Sequence, residues 1–451
     1  MHIYEHNIMA RLSFWWCLYL SLLSPTRSSA AASAPPRVPV MGWSTWCTEQ
    51  ECSDYSQMPL DWCSSHEVLS VASSMKESGL LAAGYDHLLL DDCWGVRDSA
   101  TNRITWVKER FPEGIPWLAK QVQDLGFKFG LYTAVGQHAC HWNAPSWPRA
   151  LNFTGSWPFY AQDAQDFVDW RVDYVKLDDC GPWHGTPREL VTNFSRALQK
   201  SADAANWTVW LNLGGPFQIQ NEGADELAKN MSCRMPDGSW CAVAADSFRV
   251  WDDHHDDWES THQIIAHGLA EDRRPWYSHP GFADADFLFV GGQGCGNHSL
   301  PGKRCPGQTS VEYTSSFSIW ALFSGQLVFA SDPRSMSVEM RKILLNKKIL
   351  DVVRNHPESL TDAVALRLGN EKIVFVRPLR SHRAAMLALF NGASVEGSVA
   401  VRWDEIPQMG WGDSTMLQTE DVWTGKMGEE KGGLSASVAP HGTAVVWVKE
   451  T

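Results

Sequence analysis

The chain has no excess of positive charge: among its 451 residues, 38 are Lys or Arg and 52 are Asp or Glu, a formal net charge of −14. Nucleic-acid affinity depends on clustered Lys and Arg, so nucleic acid is not an expected partner. The 11 cysteines include no Cys-x-x-Cys pair, so a zinc ribbon has no support either. The acidity by itself names no other partner.

The sequence also lacks an apolar run long enough to cross a bilayer comfortably. The N-terminal run LSFWWCLYLSLL covers 12–23 and follows Arg11, whereas a spanning helix needs about 20 apolar residues. Small residues, SSAAASA, follow at 28–34 and resemble a signal cleavage region. We therefore predict a signal peptide over residues 1–34, no stable membrane anchor, and a secreted or lysosomal/vacuolar location. A membrane anchor is the alternative.

Cysteines and sequons agree with export. Removal of the signal leaves ten cysteines, and an even number in a secreted chain indicates disulfides. N-x-S/T sequons predict glycosylated surface loops; they begin at Asn152, Asn193, Asn206, Asn230 and Asn297.

Short apolar runs recur roughly every 40 residues, about the length of one strand with a returning helix and its loops. They lie at 38–46, 87–94, 128–136, 172–180, 208–215, 247–253, 286–292 and 326–332. Helical patterns lie between them, at 67–75, 160–170, 262–270 and 340–353. Eight alternating units predict an α/β fold, a closed (β/α)8 TIM barrel over residues 35–355. Beyond it, alternating segments between Gly and Asn turns predict a C-terminal antiparallel β-sandwich over 356–451, with a structural role.

Carboxylates cluster where the predicted strands end, which is where barrel enzymes place their active sites. A single Asp after a strand can be only a helix N-cap, but that does not explain doubled carboxylates after three strands. Retaining hydrolysis of a glycosidic bond needs two facing carboxyl groups, and the pattern alone does not select them. The candidates are Asp91, Asp92, Asp178, Asp179, Asp252, Asp253, Asp256, Asp257, Asp284 and Asp286.

From about Val38 to the C-terminus, the chain resembles glycoside hydrolase family 27, the retaining α-galactosidases and α-N-acetylgalactosaminidases. Five short motifs carry this resemblance because they occur in the family's order. They are MGWSTW (41–46), DDCW (91–94), FPEGIPWLAKQVQDLGFKFGLY (111–132), YVKLDDC (174–180) and R-x-x-x-D-x-x-D-x-W (249–258).

The resemblance implies a role for nine residues and needs no metal and no cofactor. Asp178 is expected to be the nucleophile, held ionised by Lys176. Asp253 is expected to be the acid/base, with a pKa raised by Asp178 and by aromatic walls such as Trp251. The other implied substrate-binding residues are Trp46 and Tyr132 on the apolar sugar face, Asp91 and Asp92 at vicinal hydroxyls, Lys176 at hydroxyls, Arg249 at the 2-substituent, and Asp286.

The stretch FRVWDDHHDDW (248–258) contains several further candidates. Asp256 and Trp258 are expected to hold Asp253 in position without contacting the substrate, and Asp252 and Asp257 are expected to be solvated. His254 and His255 are adjacent, so they should diverge and not bind one metal ion.

Disulfide pairings are expected at four places. The resemblance implies Cys140–Cys180, beside the nucleophile. Cys233–Cys241 is expected to be a local pair, and Cys295–Cys305 to close the loop 292–307. The pairing of Cys47, Cys52, Cys63 and Cys93 stays open, with Cys52–Cys93 preferred.

The chain departs from the family at strand five. Many members have Cys-Glu-Trp there, where Glu contacts the sugar's 2-hydroxyl, but this chain has Leu213-Gly214-Gly215. The glycines could enlarge the pocket and admit an N-acetyl group, or another side chain could enter from a loop. Strand three has Tyr-Thr-Ala where an Asp is common.

We therefore expect a retaining exo-α-galactosidase that acts on α-galactosides of oligosaccharides or glycoconjugates. Within the family the alternatives are an α-N-acetylgalactosaminidase and a β-L-arabinopyranosidase. From other classes they are an inactive galactose-binding protein and a metal-dependent hydrolase. A homodimer is the candidate assembly, which the sequence does not establish.

Overall fold

The computed structural model describes residues 38–47, 63–140, 152–215, 239–270, 281–291, 307–369, 371–406 and 409–451. The expected signal peptide, 1–34, lies outside these ranges. Within them, no helix has both the length and the apolar character that crossing a membrane requires.

Eight parallel strands form one sheet in the order β10-β1-β2-β5-β6-β7-β8-β9. The sheet closes because Leu288, four residues beyond the edge strand β9, forms a parallel bridge with Phe329 of the other edge strand, β10, which gives the expected barrel. The strands are β1 (Val40–Ser44), β2 (His87–Leu90), β5 (Lys128–Ala134), β6 (Tyr174–Asp178), β7 (Trp210–Leu213), β8 (Ser247–Arg249), β9 (Phe282–Asp284) and β10 (Gln326–Phe329). A hairpin of β3 (Gly95–Arg97) and β4 (Ile104–Trp106) follows β2.

Helices alternate with these strands and bury their apolar faces against the barrel. Thr186 and Thr309 begin two of them with reciprocal capping boxes, which satisfy otherwise unpaired amides. The helices are α1 (Ser65–Glu77), α2 (Leu80–Ala83), α3 (Ile115–Asp124), α4 (Tyr160–Asp169), α5 (Pro187–Ala204), α6 (Ser239–Ala244), α7 (Trp258–Gln263), α8 (Ser310–Phe323), α9 (Val338–Leu344) and α10 (Lys347–Asn355). A π-helical turn, Ile264–Leu269, continues α7.

Two elements differ from the sequence expectation. The helical pattern at 340–353 is two helices, because Asn346 caps α10 by accepting a hydrogen bond from the Ile349 amide. Strand seven lies at Phe282–Asp284, before the expected 286–292. Asp286 has a φ of 74°, which ends the extended conformation, so the buried Phe287–Val290 run packs in the core with only one bridge to the sheet.

The C-terminal part is a β-sandwich, as expected. A six-stranded antiparallel sheet has the order β11-β12-β13-β18-β15-β16, and β14 pairs with β17. The strands are β11 (Val364–Arg367), β12 (Lys372–Leu379), β13 (Ala384–Asn391), β14 (Gly397–Arg402), β15 (Met416–Asp421), β16 (Met427–Lys431), β17 (Gly433–Val438) and β18 (Thr443–Glu450). Short 3-10 helices occur at Thr45–Cys47, Pro357–Asp362, Arg380–His382 and Trp403–Glu405.

Arg377 of β12 joins this sandwich to the barrel. Its side chain is fully buried and donates to the carbonyl of Ala321 at 3.1 Å, near the end of α8, and to that of His356 at 3.0 Å. Ser359 Oγ accepts a third bond at 2.8 Å. Burial lowers the pKa of Arg377 to about 9, so the interface depends on these acceptors to hold the charge.

Candidate active site

A cavity of about 270 Å³ opens at the carboxyl ends of the barrel strands. Seven of the nine residues expected to bind or act on substrate line it, and the other two, Asp91 and Tyr132, lie directly behind Lys176. The lining residues are Trp46, Asp92, Cys140, Lys176, Asp178, Asp179, Cys180, Arg249, Asp253, Asp286 and Phe287.

Asp178 is the last residue of β6, which points its carboxylate into the cavity. The Asp179 amide donates to its Oδ1 at 2.9 Å, and its Oδ2 lies 3.3 Å from the sulfur of Cys140. Burial raises the pKa of Asp178 to about 6; the charge of Lys176 opposes this, and that of Asp253 adds to it. A carboxylate fixed in this way is a suitable nucleophile once its proton is lost.

Lys176 contacts Asp91 and not Asp178. Its Nζ lies 2.9 and 3.3 Å from the two carboxylate oxygens of Asp91. Burial alone would lower the pKa of Lys176, but Asp91, Asp178 and Asp286 raise it above its ordinary value. Lys176 is therefore a permanent cation, and it favours the ionised form of Asp178 through space.

Arg249 and Asp253 contact each other at the rim of the cavity. The side chain of Asp253 is 65% exposed, and its Oδ1 lies 3.0 Å from an Arg249 nitrogen. Although most of this side chain is exposed, the surrounding protein partly desolvates its carboxyl group and favours the protonated acid. The charges of Arg249 and Lys176 outweigh this effect and hold the pKa of Asp253 below the ordinary value. Our expectation of a raised pKa for Asp253 is wrong for the free site, because it overlooked this ion pair.

Two further acidic residues, Asp286 and Asp284, lie near the guanidinium group of Arg249. Asp286 Oδ2 lies 3.0 Å from Arg249 and accepts the His254 amide at 2.8 Å. Asp284 is buried, and it accepts hydrogen bonds from Asn212 Nδ2 and from the Asp286 amide, both at 2.8 Å. Burial raises the pKa of Asp284 to about 6. These contacts fix the direction in which Arg249 points.

Three aromatic rings surround the ammonium group of Lys176. The ring centres of Trp46 and Tyr132 lie 5.4 Å from Nζ, and that of Phe287 lies 4.6 Å away. Trp46 and Phe287 line the cavity, and they provide the apolar surface that a sugar face needs. Sequence reasoning missed Phe287, because its run was assigned to a strand; its position directly after Asp286 was the available signal.

The stretch 248–258 divides between the cavity and the core. Asp256 is fully buried and accepts hydrogen bonds from Tyr313 at 2.9 Å and from the Gln308 side chain at 3.2 Å. Trp258 stacks on His441 of the sandwich, with ring centres 4.2 Å apart. The loop that holds Asp253 is thus anchored to α8 and to the C-terminal domain.

Two other residues in this stretch have contacts of their own. Asp257 caps α7 by accepting from the Ser260 amide at 2.8 Å, so the expectation that it is merely solvated is wrong. His254 is buried, and its ring nitrogens pair with Phe287 O at 2.7 Å and Thr261 Oγ1 at 2.9 Å, which leaves neither ring nitrogen available to a metal ion.

The disulfides correct one expected pairing. Cys63 is bonded to Cys93, so the preferred Cys52–Cys93 pair is wrong; one cysteine cannot form two such bonds, and the fold brings Cys63, just before α1, to the end of β2. Cys140 and Cys180 form a disulfide beside Asp178. Cys233 and the Cys295–Cys305 pair lie outside the described residues. Of the five sequons, Asn152, Asn193 and Asn206 are exposed, and Asn230 and Asn297 lie outside the described ranges.

Comparison with known proteins agrees with this geometry. A family model described as "Alpha galactosidase A" matches residues 38–355, and one described as "Alpha galactosidase C-terminal beta sandwich domain" matches 369–448. The chain belongs to the α-galactosidase family, whose members are glycoside hydrolases. Alpha-galactosidase 2 of Arabidopsis thaliana is 30% identical over 409 residues, covering 89% of this chain and 87% of the relative.

Solved α-galactosidase-family structures share the fold. Alpha-galactosidase I from Mortierella vinacea has a TM-score of 0.70 and 20% identity, covering 92% of this chain and 97% of that one. A β-L-arabinopyranosidase from Geobacillus stearothermophilus has a TM-score of 0.69 and 18% identity, covering 92% and 97%. At such identities the structural likeness establishes only the fold. Substrate preference has to be inferred from the residues of the cavity.

Gly214 and Gly215 do not enlarge the site as one of our alternatives expected. A Cβ on Gly214 would lie 2.4 Å from the Lys176 side chain, and one on Gly215 would lie 2.6 Å from Asp178 Oδ1 and 2.5 Å from the Asp179 amide. The space is already occupied by Lys176, Asp178 and Asp179. The Gly214 carbonyl also accepts a hydrogen bond from Arg249 at 2.8 Å, so both glycines allow a close approach of backbone to catalytic groups.

Proposed function

We propose that this chain is a retaining exo-α-galactosidase in which Asp178 is the nucleophile and Asp253 the acid/base. The observation that supports this most strongly is that both carboxyl groups line one cavity of about 270 Å³, although they come from β6 and from the loop after β8. Two carboxyl groups facing one site are what double displacement at a sugar carbon requires.

The reaction has two steps. Asp178 attacks C1 of the galactosyl group while the bond from C1 to the leaving oxygen breaks, and Asp253 gives that oxygen its proton. The product is a galactosyl ester of Asp178 and a free alcohol. Asp253, now a carboxylate, then takes a proton from water as the water oxygen attacks C1, which releases Asp178 and galactose with its original configuration.

The charges of the site's own residues oppose the protonation that the first step needs. Burial favours a proton on Asp178, and Arg249 favours an ionised Asp253, whereas catalysis needs the reverse arrangement. The two groups titrate as a pair. A substrate hydroxyl that engages Arg249 weakens its hold on Asp253, so substrate binding moves the proton toward the group that must donate it.

The size and lining of the cavity favour a single terminal sugar. Its volume of about 270 Å³ is close to the lower limit of roughly 300 Å³ for small-ligand sites. Asp92 and Lys176 offer an acceptor and a donor for ring hydroxyls, with Asp91 behind them, and Trp46 and Phe287 offer apolar faces. This arrangement supports exo-acting hydrolysis of α-galactosides.

The test is hydrolysis of an aryl α-galactoside by wild type, Asp178→Ala and Asp253→Ala, with Asp124→Ala as the control. Asp124 is exposed at the end of α3, and its side chain pairs with Lys120. We expect both site variants to lose at least about 100-fold in kcat/KM, the control to be unchanged, and α-galactose to form first by NMR. Site variants as active as wild type, or β-galactose as the first product, would refute the proposal.

We also propose that the chain is exported to the cell exterior or to a lysosomal or vacuolar lumen. The signal-like N-terminus, two disulfides in the described residues and the exposed sequons Asn152, Asn193 and Asn206 support this. Endoglycosidase digestion should lower the apparent mass of protein from a eukaryotic host; an unchanged mass, with an intact N-terminus, would contradict it. That the protein forms a homodimer stays a prediction. Analytical sedimentation tests it by measuring the molecular mass in solution.

A further inference from the structure

Asp179 is a carboxylate in the cavity that the double-displacement mechanism does not use. It directly follows Asp178 and lines the same cavity as Arg249 and Asp253. Its carboxylate accepts no hydrogen bond from another residue of the described ranges, although its amide and carbonyl are both engaged. Such a group in a binding site requires a donor, and a substrate hydroxyl can supply it.

The backbone holds Asp179 in a fixed position. Its amide donates to Asp178 Oδ1 at 2.9 Å, and its carbonyl accepts from the Trp183 indole at 2.5 Å. The next residue, Cys180, is bonded to Cys140. On the opposite side, a Cβ on Gly215 would lie 2.7 Å from the Cβ of Asp179, so the end of β7 packs directly on this side chain.

The chemistry of the sugar limits what Asp179 can contact. Asp178 must face C1, so a neighbouring side chain in the cavity meets the atoms attached to C1. The ring oxygen has no hydrogen to donate, and a carboxylate cannot bind it. The hydroxyl on C2 is the nearest sugar group that can donate, and Asp179 lines the same cavity as Arg249.

From this geometry we infer that Asp179 accepts a hydrogen bond from the 2-hydroxyl of the bound galactosyl residue and selects for sugars that carry it. The inference rests on the proposed α-galactosidase function and deepens it. Asp179 then supplies a side-chain acceptor for the 2-hydroxyl. Gly214 and Gly215, at the end of β7, cannot supply one because neither has a side chain.

The experiment compares wild type, Asp179→Asn and Asp179→Gly on two substrates, an aryl α-galactoside and its 2-deoxy counterpart. It is done about one unit above the pKa of Asp179, which burial raises to about 7, so that the carboxylate is ionised. A hydrogen bond to a charged group corresponds to about 10- to 100-fold in kcat/KM. We expect both variants to lose that factor on the galactoside and to stay within about 3-fold of wild type on the 2-deoxy substrate. Asp124→Asn is the control, expected to change neither rate, and thermal melting verifies that the variants fold.

An equal loss on both substrates would overturn the inference, because it would mean that Asp179 only positions Asp178. No loss on either would overturn it as well. A separate measurement uses equilibrium binding of galactose and 2-deoxygalactose, where wild type should prefer galactose and Asp179→Asn should lose the preference.

The binding measurement separates this inference from the proposed function. If wild type hydrolyses no α-galactoside but prefers galactose through Asp179, the proposed function fails and the inference stands. If wild type hydrolyses the galactoside but the variants keep the preference for the 2-hydroxyl, the inference fails and the function stands. A wild type that neither binds galactose nor hydrolyses its glycosides overturns both.

Discussion

Arg249 and Asp253 are four residues apart in the chain, and a guanidinium nitrogen of the first lies 3.0 Å from a carboxylate oxygen of the second. The guanidinium is 2% exposed and the carboxylate 65% exposed. A buried cation thus holds the proposed acid/base ionised until something else engages it. This pair sets the charge state from which the reaction starts.

Replacing Arg249 should therefore change the pH dependence of activity. Arg249 lowers the pKa of Asp253, so Arg249→Met should raise that pKa and keep the acid protonated to higher pH. The alkaline limb of kcat/KM against pH should move upward, and less so in Arg249→Lys, which keeps a charge. An alkaline limb that stays in place or moves downward in Arg249→Met would contradict this account.

A methyl group on Gly215 should disturb the nucleophile. Its Cβ would meet the Asp179 amide at 2.5 Å and Asp178 Oδ1 at 2.6 Å, and the amide belongs to backbone that cannot turn away. Gly215→Ala should reduce kcat on the order of 100-fold, the effect expected when a reacting group is displaced by about 1 Å.

The matched control for that substitution is Gly412→Ala, where no atom of the described residues lies within 4 Å of the added Cβ. It should keep wild-type kcat. If Gly215→Ala also keeps wild-type kcat, the close approach at the end of β7 does not constrain Asp178.

Three aspartates should contribute less stability as pH rises from about 4 to 7. Asp178 and Asp284 have pKa values raised to about 6 and Asp179 to about 7, whereas unfolded aspartates titrate near 3.9. At these positions the folded state binds more protons in this range, so the stability that they contribute is full below about pH 4 and is lost as pH rises through the folded values.

Asp284 offers the simplest test of this linkage, because it is buried and belongs to neither proposed catalytic role. The pH-dependent stability that Asp284 contributes is on the order of 2–3 kcal/mol. Relative to wild type, Asp284→Asn should therefore gain in melting temperature between pH 4 and 7. A difference between the two melting temperatures that stays constant over this range would refute the prediction.

The joint between barrel and sandwich should depend on Arg377. Arg377→Met removes the donor from the carbonyls of Ala321 and His356 and leaves buried acceptors unpaired, at about 1–3 kcal/mol for each. The free energy of unfolding should fall by about 3 kcal/mol in denaturant titrations. Arg383→Met, which removes only an exposed pair with Glu450, should cost less than about 1 kcal/mol.

Local sequence patterns were sufficient for the architecture. The recurrence of apolar runs predicted an eight-stranded barrel, seven of whose strands lie where the runs are, and alternating segments predicted the β-sandwich, because strand and helix periodicities are properties of a few consecutive residues. The doubled carboxylates at the strand ends also indicated the location of the site, since parallel strands bring their carboxyl ends to one face. Both predictions use patterns formed by residues that are close together in the sequence.

What the sequence alone could not decide are relations that depend on how the chain folds. The partner of Cys93, the ionised state of Asp253, the packing of Gly215 on Asp178 and the place of the Asp179 carboxylate in the cavity belong to this class. Each depends on distances of a few ångströms and on burial, and burial determines whether a charge is held, neutralised or left for a ligand. The sequence thus indicated seven of the residues that line the cavity, and only the tertiary structure determined the other lining residues and the charges and contacts of them all.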